Sequence, residues 1–88
     1  MQGNEAKFCL TVYHRLGCHL CDEMVALLSE YQDELNFTMQ LVDIDEDATL
    51  KARFHVDIPV VAFGEQILFW HFFNEASLRQ ALQHGWGE

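Results

Sequence analysis

Apolar residues recur along this chain with two periods, and these predict strands and helices in turn. Runs rich in β-branched and aromatic residues predict strands over 7–13, 37–43, 60–63 and 66–72. Between the first two runs, spacings of three and four residues predict an amphipathic helix of about four turns that starts near Cys18. Its apolar face is formed by Leu20, Met24, Leu27 or Leu28, Tyr31 and Leu35.

Two further helices are predicted from their start signals. Asp47 can cap a short helix that follows an acidic turn. Asn74 can cap the last helix, with Phe73 and Leu78 placed to form a hydrophobic staple across that cap. Gly85 is placed to end this helix. The predicted order of elements is therefore β-α-β-α-β-β-α.

This order predicts an α/β fold with a central, mixed, four-stranded sheet and helices on both faces. The first two strands, joined through a helix, should be parallel, and the last two should form an antiparallel hairpin across Gly64-Glu65. Half of the 88 residues are hydrophobic and only one is proline, which suits a packed core. We expect residues 1–88 to form a single domain.

Composition narrows the classes of partner. Fourteen acidic residues against five basic ones give a formal net charge of −9, which disfavours binding to nucleic acid. No apolar run reaches the ~20 residues of a membrane span, so no membrane contact is expected. The first seven residues lack the apolar core of a secretory signal, which favours the cytoplasm. We expect a monomer.

The candidate chemistry lies in two of the three cysteines. Cys18-His19-Leu20-Cys21 falls where the first strand gives way to the first helix. Cys21 shares the apolar face of that helix and should be partly buried, whereas Cys18 should be open to solvent at the helix end. Unpaired N–H groups and the helix dipole stabilise a thiolate there, so Cys18 is the candidate nucleophile and Cys21 the resolving thiol.

Charged neighbours should tune this pair in opposite directions. Arg15 and a protonated His19 or His14 would favour the thiolate, whereas the carboxylates of Asp22 and Glu23 would oppose it.

The same cysteines leave other interpretations open. They could hold a metal ion, with Cys9, His14 or His19 completing the ligands, or form a redox-sensing interaction module. Cys9 itself is interpreted as an ordinary core thiol of the first strand. His55, His71 and His84 are interpreted as surface or satisfied residues, and the aromatic run 68–73 as a core strand.

With this element order, a Cys-x-x-Cys at the first helix and Ile58-Pro59 before the third strand, the chain resembles the glutaredoxin branch of the thioredoxin superfamily. The resemblance covers about residues 7–84 and implies disulfide exchange, with Cys18 attacking and Cys21 resolving. It implies that Pro59 is cis and lies against the active-site disulfide, and that the Ile58 main chain pairs with an extended substrate.

We therefore count four residues as candidate substrate-binding residues: Arg15, His19, Ile58 and Pro59. Arg15 matches a basic position that in glutaredoxins helps to hold glutathione. The Gly-Gly pair that precedes the last helix in the family aligns here with His71-Phe72, whose side chains should crowd the γ-glutamyl end of glutathione. Disulfide-containing proteins or small thiols are the expected substrates, with glutathione a candidate electron donor and no bound cofactor.

Overall fold

A computed structural model describes residues 7–83 and contains the predicted elements in the predicted order. The elements are β1 (Phe8–His14), α1 (His19–Leu35), β2 (Phe37–Asp43), a 3-10 helix (Ile44–Glu46), α2 (Ala48–Phe54), β3 (Val60–Phe63), β4 (Gln66–Trp70) and α3 (Glu75–Gln83). The 3-10 helix occupies the predicted acidic turn, where the Asp43 carboxylate accepts the Asp45 N–H at 2.9 Å. Gly85, the predicted end of the last helix, and His84 lie outside the described residues.

The strands form one mixed sheet of four strands in the order β2-β1-β3-β4, as predicted. β1 is parallel to β2 and antiparallel to β3, and β3 is antiparallel to β4. Tyr13 therefore lies beside Val60, and Val60 beside Trp70. This register brings the end of β1, the start of β3 and the end of β4 to one edge of the sheet.

Helices cover both faces of the sheet, because successive strand residues point to opposite sides. On one face Leu10 and Val12 pack with Met24 and Leu28 of α1 and with Leu78 of α3. On the other face Val60, with Tyr13 packed partly against it, joins Phe54 of α2 and Ile44 of the 3-10 helix. The second cluster also contains Cys21, with Cys18 at its margin.

Cys9 is exposed, so its interpretation as a core thiol is wrong. It alternates with Leu10 and therefore points to the same face as Tyr13. α2 covers that face only near the end of β1, where Tyr13 stacks on Phe54 with ring centroids 4.6 Å apart. At the start of β1, Cys9 lies beside the exposed Thr38 of β2.

The prediction that Leu20 lies on the buried face of α1 is also wrong, since this residue is 38% exposed. The buried residues of this helix are Cys21, Met24, Leu28 and Leu35, spaced by three, four and seven. Leu20 lies beside this stripe, at its solvent edge. The helix ends at Asn36, whose φ of 59° is left-handed and whose N–H donates to the Gln32 carbonyl at 2.8 Å.

The hairpin contains a β-bulge that changes which side chains share a face. Val61 pairs with Phe69 but Ala62 pairs with Ile67, so Leu68 is an extra residue in β4. The bulge turns Ile67 towards the α2 face, where it packs against the cluster that contains Phe54 and Val60. Phe69 stays on the other face, in the cluster beneath α1 and α3.

β4 ends at Trp70, two residues before the predicted end of the strand at 72. His71 has a left-handed φ of 66°, and the Phe72 N–H donates to the Trp70 carbonyl at 2.7 Å. This tight turn takes the chain out of the sheet before α3.

Both predicted caps are present. The Asp47 carboxylate accepts the N–H groups of Thr49 and Leu50 at 2.9 and 3.2 Å. The Asn74 side chain accepts the Ser77 N–H at 3.0 Å. These bonds satisfy N–H groups that have no partner inside the helix.

We expect Leu28→Ala to lower the free energy of unfolding by about 2–5 kcal/mol, because it leaves a cavity between α1 and the sheet. Leu28 is 0% exposed and its neighbour Leu27 is 38% exposed, so Leu27→Ala is the matched control and should cost less than about 1 kcal/mol. Urea unfolding followed by circular dichroism measures both. Equal losses would contradict the assignment of the buried face.

An ion-pair network ties α3 to α1 and shifts two carboxyl groups. Arg79 donates to Glu34 at 2.6 Å and to Glu75 at 2.8 Å, which lowers the pKa of both carboxyls from their usual range. Tyr31 also donates to Glu75, at 3.0 Å. A depressed carboxyl pKa adds stability at neutral pH that is lost as the pH falls through the folded-state pKa.

We expect Arg79→Gln to raise the pKa of Glu34 and Glu75 towards ordinary glutamate values, because their principal hydrogen-bond donor is lost. Carboxyl ¹³C NMR titration measures this. Unchanged pKa values of Glu34 and Glu75 in Arg79→Gln would contradict the network.

Candidate active site

Cys18 and Cys21 form a disulfide at the edge of the sheet where β1, β3 and β4 meet, with their Cα atoms 5.2 Å apart. The chain leaves β1 through a short loop and enters α1 at His19. Gly17 precedes the first cysteine with a left-handed φ of 78°, which a residue with a side chain adopts only with strain.

Cys18 is the N-cap of α1. Its backbone is extended and its sulfur accepts the N–H of Cys21 at 3.1 Å, which satisfies one of the free donors of the first turn. In the reduced protein, the same N–H and the positive end of the helix dipole would face a thiolate. The structure therefore places a sulfur where negative charge is stabilised.

The two cysteines differ in exposure in the predicted sense, and both are more buried than predicted. Cys21 is 2% exposed, within the cluster formed with Ile44 and Phe54, whereas Cys18 is half-buried at its margin. Of these two residues, only Cys18 has appreciable surface open to solvent.

The Ile58-Pro59 bond is cis, as the resemblance implied. Pro59 is fully buried. Ile58 and Val60, on either side of it, pack in the cluster that contains Cys21 and borders Cys18. The structure thus brings Ile58 and Pro59 to the cysteine pair.

The main-chain groups of Ile58 already have partners within the chain. Its N–H donates to the Phe54 carbonyl at 3.1 Å, and its carbonyl oxygen lies 3.1 Å from Nδ1 of His71. Because a carbonyl can only accept, Nδ1 carries the proton of this bond. The second lone pair of the Ile58 oxygen forms no hydrogen bond within residues 7–83.

His71 is therefore a residue of the site that sequence reasoning missed. The interpretation of His71 as a surface or satisfied residue is confirmed in that its Nδ1 and its main-chain N–H have hydrogen-bond partners. Those partners belong to the Ile58-Pro59 segment, because the His71 main-chain N–H also donates to the Pro59 carbonyl at 2.8 Å. The alignment of His71 with a family glycine was the available signal. A residue at that position adopts a left-handed φ, which glycine accepts without strain.

Arg15 is held by a partner that sequence reasoning also missed. Its guanidinium forms two hydrogen bonds with the carboxylate of Asp45, through Nε at 3.1 Å and through a terminal nitrogen. This contact raises the pKa of Arg15 and lowers that of Asp45. Arg15 and Cys21 border one cavity of about 370 Å³, so the structure brings these two residues together. The Arg15 guanidinium at this cavity is already paired with Asp45.

Three further charged candidates are solvent-facing, whereas His14, the last residue of β1, is half-buried. His19 is the first residue of α1 and is exposed, as are Asp22 and Glu23 behind it. Within residues 7–83, no three His, Cys, Asp or Glu side chains are grouped closely enough to hold a metal ion. The described part of the chain therefore contains no group of side chains that could complete a metal site with Cys18 and Cys21.

The fold and site together define a thioredoxin-fold protein with a Cys-x-x-Cys pair at a helix start and a cis-proline beside it. Residues 9–83 match the family model described as "Glutaredoxin-like domain (DUF836)". This match spans most of the chain, and the protein belongs to that family.

Solved structures agree with this assignment. Protein Ne2328 from Nitrosomonas europaea is 31% identical with a TM-score of 0.79, covering 93% of this chain and 99% of its own. Protein XcR50 from X. campestris is 33% identical with a TM-score of 0.69, and the match covers 85% of this chain and 96% of XcR50. Oxidised thioredoxin from Plasmodium falciparum is 14% identical with a TM-score of 0.54 over 93% of this chain and 84% of its own, and shares the fold.

None of the helices in the described part of the chain is long and apolar enough to cross a membrane.

In the reduced protein, we expect iodoacetamide to alkylate Cys18 at least about tenfold faster than Cys21, because Cys21 is buried and Cys18 faces the helix N–H groups. Exposed Cys9 is the internal reference, since it lies in a strand away from any helix start. Peptide mass spectrometry measures all three, and faster labelling of Cys21 would contradict the assignment.

Proposed function

We propose that this protein is a thiol–disulfide oxidoreductase that reduces or exchanges disulfides, with Cys18 as nucleophile and Cys21 as resolving thiol. One observation carries the proposal: the Cys18 sulfur caps α1 and accepts the Cys21 N–H, while Cys21 is buried directly behind it. A thiolate in this position is stabilised and accessible, which is what a disulfide-attacking group requires.

The reaction takes place in two exchange steps. The Cys18 thiolate attacks one sulfur of the substrate disulfide, so that a mixed disulfide forms and the other substrate sulfur leaves as a thiolate. Cys21 then loses its proton and attacks the Cys18 sulfur, which releases the second substrate thiolate and forms the Cys18–Cys21 disulfide. Two electrons pass from the dithiol to the substrate, and a thiol donor returns them.

The other candidate residues have binding roles in this proposal. The second lone pair of the Ile58 carbonyl accepts a substrate N–H, and the fully buried Pro59 acts by positioning Ile58 beside the cysteine pair. Arg15 and exposed His19 flank the attacking thiol. Glutathione is one candidate donor, the cytoplasm the proposed location, and a monomeric single domain the proposed form.

We expect Cys21→Ser, made together with Cys9→Ser, to accumulate a mixed disulfide at Cys18, because the resolving thiol is missing. Oxidised glutathione and a disulfide-linked peptide are the probes, and intact mass followed by peptide mapping locates the adduct. Cys18→Ser in the same background should form no adduct. If neither probe reacts at Cys18, the proposed function is wrong.

A further inference from the structure

A second cavity, of about 230 Å³, opens on the α2 face near the cysteine pair. Its walls are Phe54, Asp57, Val60, Ile67 and Trp70. The β-bulge at Leu68 and the pairing of Trp70 with Val60 bring the two β4 side chains to this face. The cavity is thus built by the fold and is of a size to accept one side chain.

Its lining combines apolar surface with a single carboxylate. Four of the five walls are apolar or aromatic, and the fifth is the half-buried Asp57. Asp57 takes part in none of the ion pairs formed within residues 7–83. Arg53, the nearest cation in sequence, lies over the Phe54 ring at 4.7 Å and borders the neighbouring cavity, of which Asp57 is not a wall.

This combination suits a long cationic side chain. The aliphatic stem of lysine or arginine buries well against apolar walls while its charged end reaches a carboxylate. Trp70 adds an aromatic face, the best side-chain partner for a cation. An anionic side chain would meet Asp57 and a protein of formal net charge −9.

The cavity and the thiol site border one apolar cluster. Phe54 and Val60 belong to the cluster that contains Cys21, and Ile67 and Cys18 both pack against it. Asp57 and Val60 flank the Ile58-Pro59 segment in sequence. A side chain in the cavity would therefore belong to a residue close to the half-cystine that Cys18 attacks.

Resting on the function proposed above, we propose that this cavity binds a lysine or arginine side chain of a polypeptide whose disulfide the cysteine pair reduces. Trp70 is 55% exposed and Phe72, two residues later, is 70% exposed. Together they offer an apolar surface against which the substrate polypeptide can pack. Asp57 is thus a specificity-determining residue for basic polypeptide substrates.

Two disulfide-linked peptides test this, identical except that lysines flank the half-cystine in one and norleucines in the other. We expect wild-type kcat/KM to favour the lysine peptide by about tenfold, and Asp57→Asn to reduce this preference to about twofold or less. Asp33→Asn, which removes one exposed carboxylate from the last turn of α1, is the matched control and should keep the preference. Equal loss in both variants would assign the preference to net charge and overturn the proposal.

Reduction of uncharged 2-hydroxyethyl disulfide by the wild type separates this proposal from the function on which it rests. If this probe is reduced but the lysine preference is absent, the cavity proposal fails and the function stands. If neither this probe nor either peptide is reduced, the function fails, and a binding measurement still decides about the cavity.

That binding measurement follows Trp70 fluorescence in a Trp86→Phe background as the lysine peptide, with serine replacing cysteine, is added. Saturable binding that Asp57→Asn weakens about tenfold supports the cavity proposal. The same Kd in both proteins, or no binding to either, would overturn it.

Discussion

The position of β1 in the middle of the sheet is the constraint on which the site depends. It is bonded in parallel to β2 and antiparallel to β3, and so it fixes which strand ends lie side by side. The loop that carries Cys18 leaves the edge at which the Ile58-Pro59 segment enters and β4 ends. Residues far apart in sequence therefore meet without any long loop, and the chemistry lies on the rigid margin of a packed sheet.

The two sides of this sheet contribute differently to the site. The larger apolar cluster, beneath α1 and α3, holds the helix that presents the cysteines. The smaller one, beneath α2, contains Cys21 itself and forms the floor of the cavity lined by Asp57. In the proposed function, the packing that holds α1 and the contact with substrate are thus partly separated between the two faces.

The order of elements, the sheet, the caps and the cysteine pair could be predicted because each depends on local pattern or on strand connectivity. The features that could not be predicted depend on the length and placement of neighbouring elements in the fold. Cys9 is exposed because α2 is too short to cover the start of β1. His71 reaches Ile58 because a bulge and a tight turn alter the course of β4. Neither feature produces a repeating pattern of apolar residues from which it could be predicted. The pairing of Arg15 with Asp45 likewise needed the 3-10 helix to be placed.

Because the Cys18 sulfur is also the N-cap of α1, one atom serves the helix and the chemistry. Substitution at this position therefore has two consequences. A residue such as alanine would remove the proposed nucleophile and leave the first turn uncapped, at a cost of about 1 kcal/mol. Serine keeps an oxygen in the capping place and removes only the proposed redox function. A relative of this protein that had lost the activity could thus retain the helix intact through serine, aspartate or asparagine, and would be recognised by its fold long after its chemistry had gone.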